Sequence, residues 1–202
     1  RPLREVGGKA LFVKNLETAL LEGQADLAVH SMKDVPAVLD EAFEIAAVLP
    51  RENPLDAWVS NKYPTFESLP LGASIGTSSL RRQAQLKFLR PDLKILPCRG
   101  NLQTRLSHAE SGKFDGIILA ASGLRRLGLD SKIRHFFQPE TMLSAAGQGA
   151  IGIEILSDNQ FLKDLLQPIN HALSYAVVMA ERSMCKVLEG SCYSPIGALA
   201  EF

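Results

Sequence analysis

The sequence predicts an α/β protein with two lobes that are joined by two chain crossings. Between residues 73 and 127, short apolar stretches alternate three times with helical patterns, as in a mostly parallel sheet covered by helices. A polar, proline-containing stretch at 51–54 and a glycine-rich stretch at 147–152 interrupt this organisation. We interpret these two stretches as hinge crossings between the lobes. Clefts between lobes of this kind commonly bind ligands.

The first lobe is predicted to begin with an amphipathic helix that ends at Gly23. Its apolar positions recur at helical spacing and are Leu11, Phe12, Leu16, Ala19 and Leu20. Short buried strands are predicted at 25–29 and 43–48. After the second crossing, a strand at 150–156 returns the chain to this lobe.

The second lobe is predicted to begin with a strand at 56–60 and to continue with three strand–helix pairs. The pairs are 73–76 with 78–89, 93–96 with 101–111, and 115–120 with 122–127. A long helix at 171–188 follows both lobes and leads into Glu189-Gly190-Ser191-Cys192.

Charge is distributed unevenly along the chain, although its formal net value is zero. Residues 76–134 carry 12 Lys/Arg against 4 Asp/Glu, whereas the segments on either side each have a net charge of −4. A basic block is typical of nucleic-acid binding, but no nucleic-acid motif and few aromatic residues accompany it. A small polyanionic ligand fits the pattern equally well. No apolar run is long enough to cross a bilayer, so we expect no membrane partner.

The three cysteines are an odd number and lack CxxC spacing. This pattern argues against a disulfide framework and against a zinc site, and it suits a reducing compartment such as the cytoplasm. The four histidines show no metal-ligand spacing, and we interpret them as structural. Cys192 lies among small residues in a predicted loop, where its sulfur is either reachable or simply packed. Cys185 falls within a predicted helix and Cys98 at the end of a predicted strand, which favours packing for both.

Residues 28–36 begin as a buried strand that ends at Pro36, with Lys33 and Asp34 side by side at the end of the strand. One interpretation is a solvated loop with two ordinary surface charges. The other is a site that handles anions and cationic intermediates.

Arg81 and Arg82 fall in the first turn of a predicted helix, just after Ser79. The serine alone is explained as a helix N-cap. Two cations at this position oppose the positive end of the helix dipole, which is unfavourable unless an anion lies among them. Free backbone N–H groups and two guanidinium groups form a good carboxylate or phosphate site. The stretch is not a Walker A loop, because no Gly-Lys-Ser/Thr follows.

Similar arginines follow the next two strands. Arg99 and Arg105 flank the start of the second helix, and Arg125 and Arg126 follow Gly123 in the third. Helices that follow parallel strands begin at the same edge of a sheet, so these arginines are expected to converge there. Several guanidinium groups at equivalent positions indicate a ligand with several carboxylates.

Seven stretches together resemble the porphobilinogen deaminase family, also called hydroxymethylbilane synthases, in one register over essentially the whole chain. They are HSMKDVP (30–36), RENPLDAWVS (51–60), GTSSLRRQAQL (76–86), RGNLQTRL (99–106), DGIILAASGLRRLG (115–128), AAGQGAIGIE (145–154) and EGSCYSPIGA (189–198). The resemblance implies two lobes like type II periplasmic binding proteins and a small third domain. It also implies a transferase that joins four porphobilinogen molecules head to tail, with release of ammonia, into linear hydroxymethylbilane. Growth would be primed on a covalent dipyrromethane cofactor, in a cytoplasmic, monomeric enzyme of tetrapyrrole and haem biosynthesis.

The resemblance also implies roles for individual residues. Asp34 takes the position of the catalytic aspartate, and Cys192 that of the cysteine that holds dipyrromethane through a thioether. The other cofactor-binding positions are Lys33, Ser79, Arg81, Arg82, Arg105 and Gly123. The substrate-binding positions are Arg99, Arg105 and Arg126. This sequence departs from the usual family pattern at Ser191, which replaces a glycine, and at Ala10.

The resulting domain assignment has three parts. Domain 1 comprises 1–50 and 150–167, domain 2 comprises 55–145, and residues 171–202 begin an α+β domain 3. We expect domain 1 to be shortened at its N-terminus and domain 3 at its C-terminus. Two other classes of protein share the two-lobe organisation, namely solute-binding proteins for small polycarboxylates and ligand-sensing domains of transcription regulators. Neither would carry a covalent pyrrole.

Overall fold

The computed structural model describes residues 8–190 and 194–202, and it confirms the predicted α/β fold class. Within these residues eight strands form two sheets, which six α-helices accompany. The strands are β1 (Ala28–Ser31), β2 (Phe43–Val48), β3 (Asp56–Val59), β4 (Ser74–Gly76), β5 (Lys94–Leu96), β6 (Gly116–Ala120), β7 (His135–Phe136) and β8 (Ile151–Leu156). The helices are α1 (Gly8–Leu21), α2 (Leu80–Leu89), α3 (Leu102–Glu110), α4 (Ala121–Arg126), α5 (Gln160–Leu166) and α6 (Ala172–Val187).

The chain divides into two compact units. The described residues of unit 1 are 8–52, 146–190 and 200–202, and those of unit 2 are 53–145 and 194–199. The chain passes between the units after Glu52, after Ala145 and before Ala200. Among the described residues, no helix is both long and apolar enough to span a membrane.

Unit 1 contains a three-stranded sheet in the order β1-β8-β2, in which β8 is antiparallel to both neighbours. The strand predicted at 25–29 overlaps the observed β1 only at residues 28 and 29, because Ala25 still belongs to the turn that ends α1. There the amides of Gln24 and Ala25 both donate to the carbonyl of Ala19, at 2.8 and 3.2 Å. On the core side, α6 contributes Val178 to a cluster that includes Met32 and Val35.

Unit 2 contains a five-stranded sheet in the order β5-β4-β6-β3-β7. The prediction of a mostly parallel sheet is correct for β4, β5 and β6, which are joined through helices. It is wrong for β3, which pairs antiparallel to both β6 and β7, so that β7 runs in the same direction as β4, β5 and β6. Strands that run parallel need a crossover connection, usually a helix. Helix α4 lies between β6 and β7, whereas the described residues between β3 and the next strand, β4, contain no helix. The short strand β7 and helix α5 were not predicted.

Candidate functional site

In unit 1, the predicted site residues Lys33 and Asp34 lie in a single 3₁₀ turn, Met32–Asp34, directly after β1. Met32 anchors the turn: its side chain is only 1% exposed, and its amide donates to the carbonyl of Ala150 at 3.0 Å. The amide of Val35 closes the turn by donating to the carbonyl of Met32 at 3.3 Å. Lys33 and Asp34 are half-buried. The turn therefore holds an ammonium and a carboxylate next to each other on a buried base.

The glycine-rich segment before β8 packs against this turn. Gly147 has a φ of 69°, and a Cβ placed on it would lie 2.8 Å from the Cβ of Met32 and 3.2 Å from the amide nitrogen of Lys33. The next residue, Gln148, is fully buried, and its Oε1 accepts from Nζ of Lys33 at 3.5 Å. Gly147 is thus required both for its backbone conformation and for its close approach to the turn.

Glu181 of α6 accepts hydrogen bonds from three residues of unit 1 that lie close to the points where the chain passes between the units. Its buried carboxylate accepts from Nη1 and Nη2 of Arg51 at 2.7 and 3.1 Å. It also accepts from the amides of Gly147, at 2.6 Å, and Ala200, at 2.9 Å. Each donor lies within two residues of a passage between the units. Both the second crossing and the base of the Lys33–Asp34 turn are therefore tied to α6.

In unit 2, the starts of α2, α3 and α4 lie at one edge of the sheet, because they follow the adjacent parallel strands β4, β5 and β6. Ser79 is the N-cap of α2, and its Oγ accepts from the amide of Arg82 at 3.4 Å. The turns are linked to each other, since Oγ of Ser78 donates to the carbonyl of Cys98 at 3.1 Å. The sheet therefore brings the arginine-bearing turns to a common edge, as the sequence predicted.

Arg81 and Arg82 are buried and share one carboxylate, that of Asp56 on β3. Nη1 of Arg81 lies 2.8 Å from Oδ2 of Asp56, and Nη2 of Arg82 lies 2.7 Å from Oδ1. Both guanidinium groups also donate to carbonyls, Arg81 to Leu143 at 2.6 Å and Arg82 to Ile118 at 2.8 Å. Sequence reasoning missed Asp56, whose one signal is a carboxylate inside an apolar strand.

The electrostatics of this cluster are dominated by the two arginines. Burial alone would raise the pKa of Asp56, but the charges and hydrogen bonds of Arg82 and Arg81 outweigh it and hold that pKa well below its usual range. Burial lowers the pKa of Arg81, and Asp56 opposes this effect. Two guanidinium groups against one carboxylate leave one positive charge in excess. In addition, Nε of Arg82 has no hydrogen-bond partner among the described residues.

The remaining predicted residues of unit 2 are more accessible. Arg99 and Arg126 are exposed, whereas Arg105 is half-buried and its Nε donates to the carbonyl of Gly100 at 2.9 Å. Gly123 lies inside α4, and within the described part of the chain no atom lies within 4 Å of a Cβ built on it. Glycine in a helix costs about 1 kcal/mol relative to alanine, and packing does not require it here. Cys192, the predicted anchor, lies outside the described residues.

We expect the replacement of Asp56 by asparagine to destabilise unit 2 by about 3–5 kcal/mol, because it leaves two buried guanidinium groups without their carboxylate. Urea unfolding at neutral pH measures this change. The matched control is Asp92→Asn, which removes the carboxylate from the exposed Arg90–Asp92 pair, and its effect should be much smaller. Equal urea midpoints for Asp56→Asn and the parent protein would contradict the structural role of the Asp56 carboxylate.

The same carboxylate should make the protein sensitive to acid. Because the folded-state pKa of Asp56 is depressed, its stabilising contribution is present above the unfolded-state pKa of about 4 and is lost as the pH falls further toward the folded-state value. The free energy of unfolding, measured between about pH 5 and about pH 2, should therefore fall less steeply in Asp56→Asn than in the parent protein.

Comparison with known proteins shows two kinds of similarity. Residues 1–164 match the protein-family model described as "Porphobilinogen deaminase, dipyromethane cofactor binding domain". The porphobilinogen deaminase of Albidiferax ferrireducens is 55% identical over 200 residues, which are 99% of this chain and 64% of that protein. That of Chromobacterium violaceum is 54% identical over 99% of this chain and 65% of its own length. The chain thus spans slightly less than two thirds of these relatives.

Solved structures show a shared fold. A nutrient-binding protein from Burkholderia cenocepacia bound to methionine matches with a TM-score of 0.50 at 14% identity, covering 86% of this chain and 80% of that one. A pheromone cOB1 precursor/lipoprotein of the YaeC family from Enterococcus faecalis matches with a TM-score of 0.51 at 12% identity, covering 82% of this chain and 80% of that one.

Proposed function

Because this chain belongs to the porphobilinogen deaminase family and contains its dipyrromethane cofactor-binding domain, we propose that the complete protein is a hydroxymethylbilane synthase. The reaction joins four porphobilinogen molecules head to tail, with release of ammonia, into linear hydroxymethylbilane. The family match carries this proposal, and two features of the structure support it. They are the Lys33–Asp34 turn in unit 1 and the arginine-lined sheet edge in unit 2.

The arginine cluster fits a ligand with several carboxylates. A pyrrole of this class carries an acetate and a propionate, so dipyrromethane brings four carboxylates into the site. The excess positive charge of the Arg81–Arg82–Asp56 cluster favours an added anion. In the proposal, Arg81 and Arg82 hold cofactor carboxylates together with Ser79 and Arg105. When bound, dipyrromethane supplies the nucleophilic pyrrole carbon on which the chain grows.

Two of the more accessible arginines are assigned to the substrate. Arg99 and Arg126 are exposed, so their guanidinium groups can bind carboxylates of an incoming porphobilinogen, with Arg105 serving both ligands. Gly123 is assigned to the cofactor, because the open space beside it lets a pyrrole ring of the cofactor approach the α4 backbone. A side chain at this position would occupy that space.

Asp34 has the catalytic role in this proposal. Loss of ammonia from porphobilinogen leaves a cation, which the Asp34 carboxylate stabilises electrostatically. The same carboxylate can then accept the proton that the attacking pyrrole must release from its ring carbon once the new bond has formed. Lys33, held near Gln148 at 3.5 Å, provides a cation for a carboxylate of the ligand. Both side chains are presented by the same anchored turn, so their separation is fixed by the fold.

The cellular setting is proposed on narrower grounds. We assign the enzyme to the cytoplasm as a monomer that acts on a small molecule, without nucleic acid or membrane as partner. Cys98 and Cys185 are free thiols, which suits a reducing compartment.

The assignment of residues 171–202 to the start of a third domain also stays a proposal. It is supported by apolar side chains that α6 leaves exposed, among them Leu173 and Val187.

The test is the intact mass of the complete protein after denaturation and reduction, combined with a porphobilinogen consumption assay. We expect a covalent adduct with the mass of a dipyrromethane and steady release of ammonia. A solute-binding protein of the same fold would bind a polycarboxylate without an adduct and without turnover. The absence of both adduct and turnover would therefore reject the proposed function in favour of that alternative.

A further inference from the structure

Arg182 of α6 is a buried cation that lies against the chain immediately after Asp34. It is 8% exposed, and its Nη1 and Nη2 donate to the carbonyls of Val35 and Pro36 at 3.2 and 2.7 Å. These are the first two carbonyls after the Lys33–Asp34 turn. Because proline has no N–H group, this short segment has few backbone hydrogen bonds of its own. Arg182 supplies the partners that the segment would otherwise lack.

The bonding of Arg182 differs from that of the other buried arginines. Arg51, Arg81 and Arg82 each pair with a buried carboxylate. Within the part of the chain that the structure describes, no carboxylate lies within ion-pair distance of Arg182, and its hydrogen bonds go to the two carbonyls. Burial lowers the pKa of Arg182, while Cys185 and Glu154 act in the opposite direction. Burial of the Arg182 guanidinium group therefore carries an unfavourable desolvation free energy.

The two hydrogen bonds of Arg182 also restrict the backbone that follows Asp34. The planar guanidinium group presents its N–H donors in a rigid fork, so it holds the two successive carbonyls in a fixed geometry. The turn is thus fixed on both sides of its charged residues. Met32 and Gly147 fix it before Lys33, and Arg182 fixes it after Asp34.

We propose that Arg182 is a positioning residue for Asp34, which it holds in place by fixing the backbone at Val35 and Pro36. The inference rests on the proposed catalytic role of Asp34 and deepens it. It also gives α6 a part in the reaction. The helix ends at Val187, a few residues before Cys192, so Arg182 connects the catalytic turn to the helix that leads into the proposed cofactor anchor.

The experiment compares Arg182→Met and Arg182→Lys with a matched control in the complete, cofactor-loaded protein. The control is Arg90→Met. Arg90 lies in unit 2 and also donates to the carbonyls of a residue and the proline after it, Leu69 and Pro70, at 3.4 and 3.2 Å. The measurements are kcat and KM for porphobilinogen, cofactor loading by intact mass, thermal unfolding, and hydrogen exchange of the peptide that covers residues 30–38.

For Arg182→Met we expect kcat to fall by about 10- to 100-fold, the effect typical of a catalytic group displaced by about an ångström. KM should change by less than about threefold, because substrate contacts are retained. Exchange in the 30–38 peptide should be faster, whereas cofactor loading is unchanged. Arg182→Lys, which keeps the charge without the planar fork, should lose less activity. Arg90→Met should leave kcat and the exchange of this peptide unchanged.

The outcomes separate this inference from the proposed function. An active parent protein whose Arg182→Met variant keeps full kcat, or loses activity only in proportion to its folded fraction, would overturn the positioning role alone. If Arg182→Met does not fold, Arg182→Lys decides: a selective loss of kcat supports the role, and unchanged kcat with unchanged exchange rejects it. An inactive, adduct-free parent protein would instead reject the proposed function, and the inference with it.

Discussion

Replacement of Asp34 by asparagine should give a folded protein that keeps its cofactor but forms hydroxymethylbilane at least about 100-fold more slowly. General acid–base groups typically contribute about 10²–10⁴-fold to the rate, and the loss of a negative charge beside a developing cation adds to this effect. Asparagine has the size of aspartate, and the turn is anchored through the buried Met32. The fold should therefore be unaffected.

The measurements are the initial rate of product formation, the intact mass and the thermal unfolding of the same preparation. Asp40→Asn is the matched control, because Asp40 lies in the same unit and its Oδ1 accepts only a local bond from the amide of Ala42 at 3.0 Å among those described. It should retain full activity. An Asp34→Asn protein with nearly normal turnover would remove Asp34 from the mechanism.

Local sequence patterns were enough to predict most elements of this fold. Phe43–Val48 and the helix at Ala172–Val187 were found with nearly their observed ends, because apolar periodicity and caps are local signals. Strand direction was predicted only where helices join the strands. The position of β8 between β1 and β2 depends on a segment that returns to unit 1 after 102 residues, those between the end of β2 and the start of β8. No local pattern contains that information.

The contacts within the candidate site also join residues that are far apart in the sequence. The two cations in the first turn of α2 predicted an anion beside them, and the structure shows one from the chain itself, Asp56. A ligand carboxylate at this position stays a prediction. The sequence separates Asp56 from Arg81 by 25 positions, so only the pairing of β3 and β6 with α2 nearby brings them together. The role of Arg182 was equally invisible, since its partners at Val35 and Pro36 lie about 147 positions earlier.

Cys192 is expected to be the only cysteine that carries the dipyrromethane, through a thioether. The anchor must react as a thiolate, and burial acts against this at the two other cysteines. Cys98 is 2% exposed in the core of unit 2, and burial raises the pKa of its thiol. Cys185 is half-buried in α6, where burial and then the charge of Glu181 raise the pKa of its thiol. Cys192 lies outside the described residues, and its assignment rests on the family motif in which it stands.

Replacing Cys192 by serine should therefore leave a folded protein without the thioether-linked cofactor and without turnover, the largest loss that any single substitution here should cause. A thioether forms when sulfur bonds to a methylene carbon of the pyrrole as the amino group of that carbon leaves as ammonia, so no oxidant is needed. Reductants that cleave disulfides leave the thioether intact. Peptide mapping after reduction should accordingly find the added mass only on the peptide that contains Cys192. Cys98→Ser and Cys185→Ser serve as matched controls and should keep the adduct. An adduct on Cys98 or Cys185, or a fully active Cys192→Ala enzyme, would overturn the assignment.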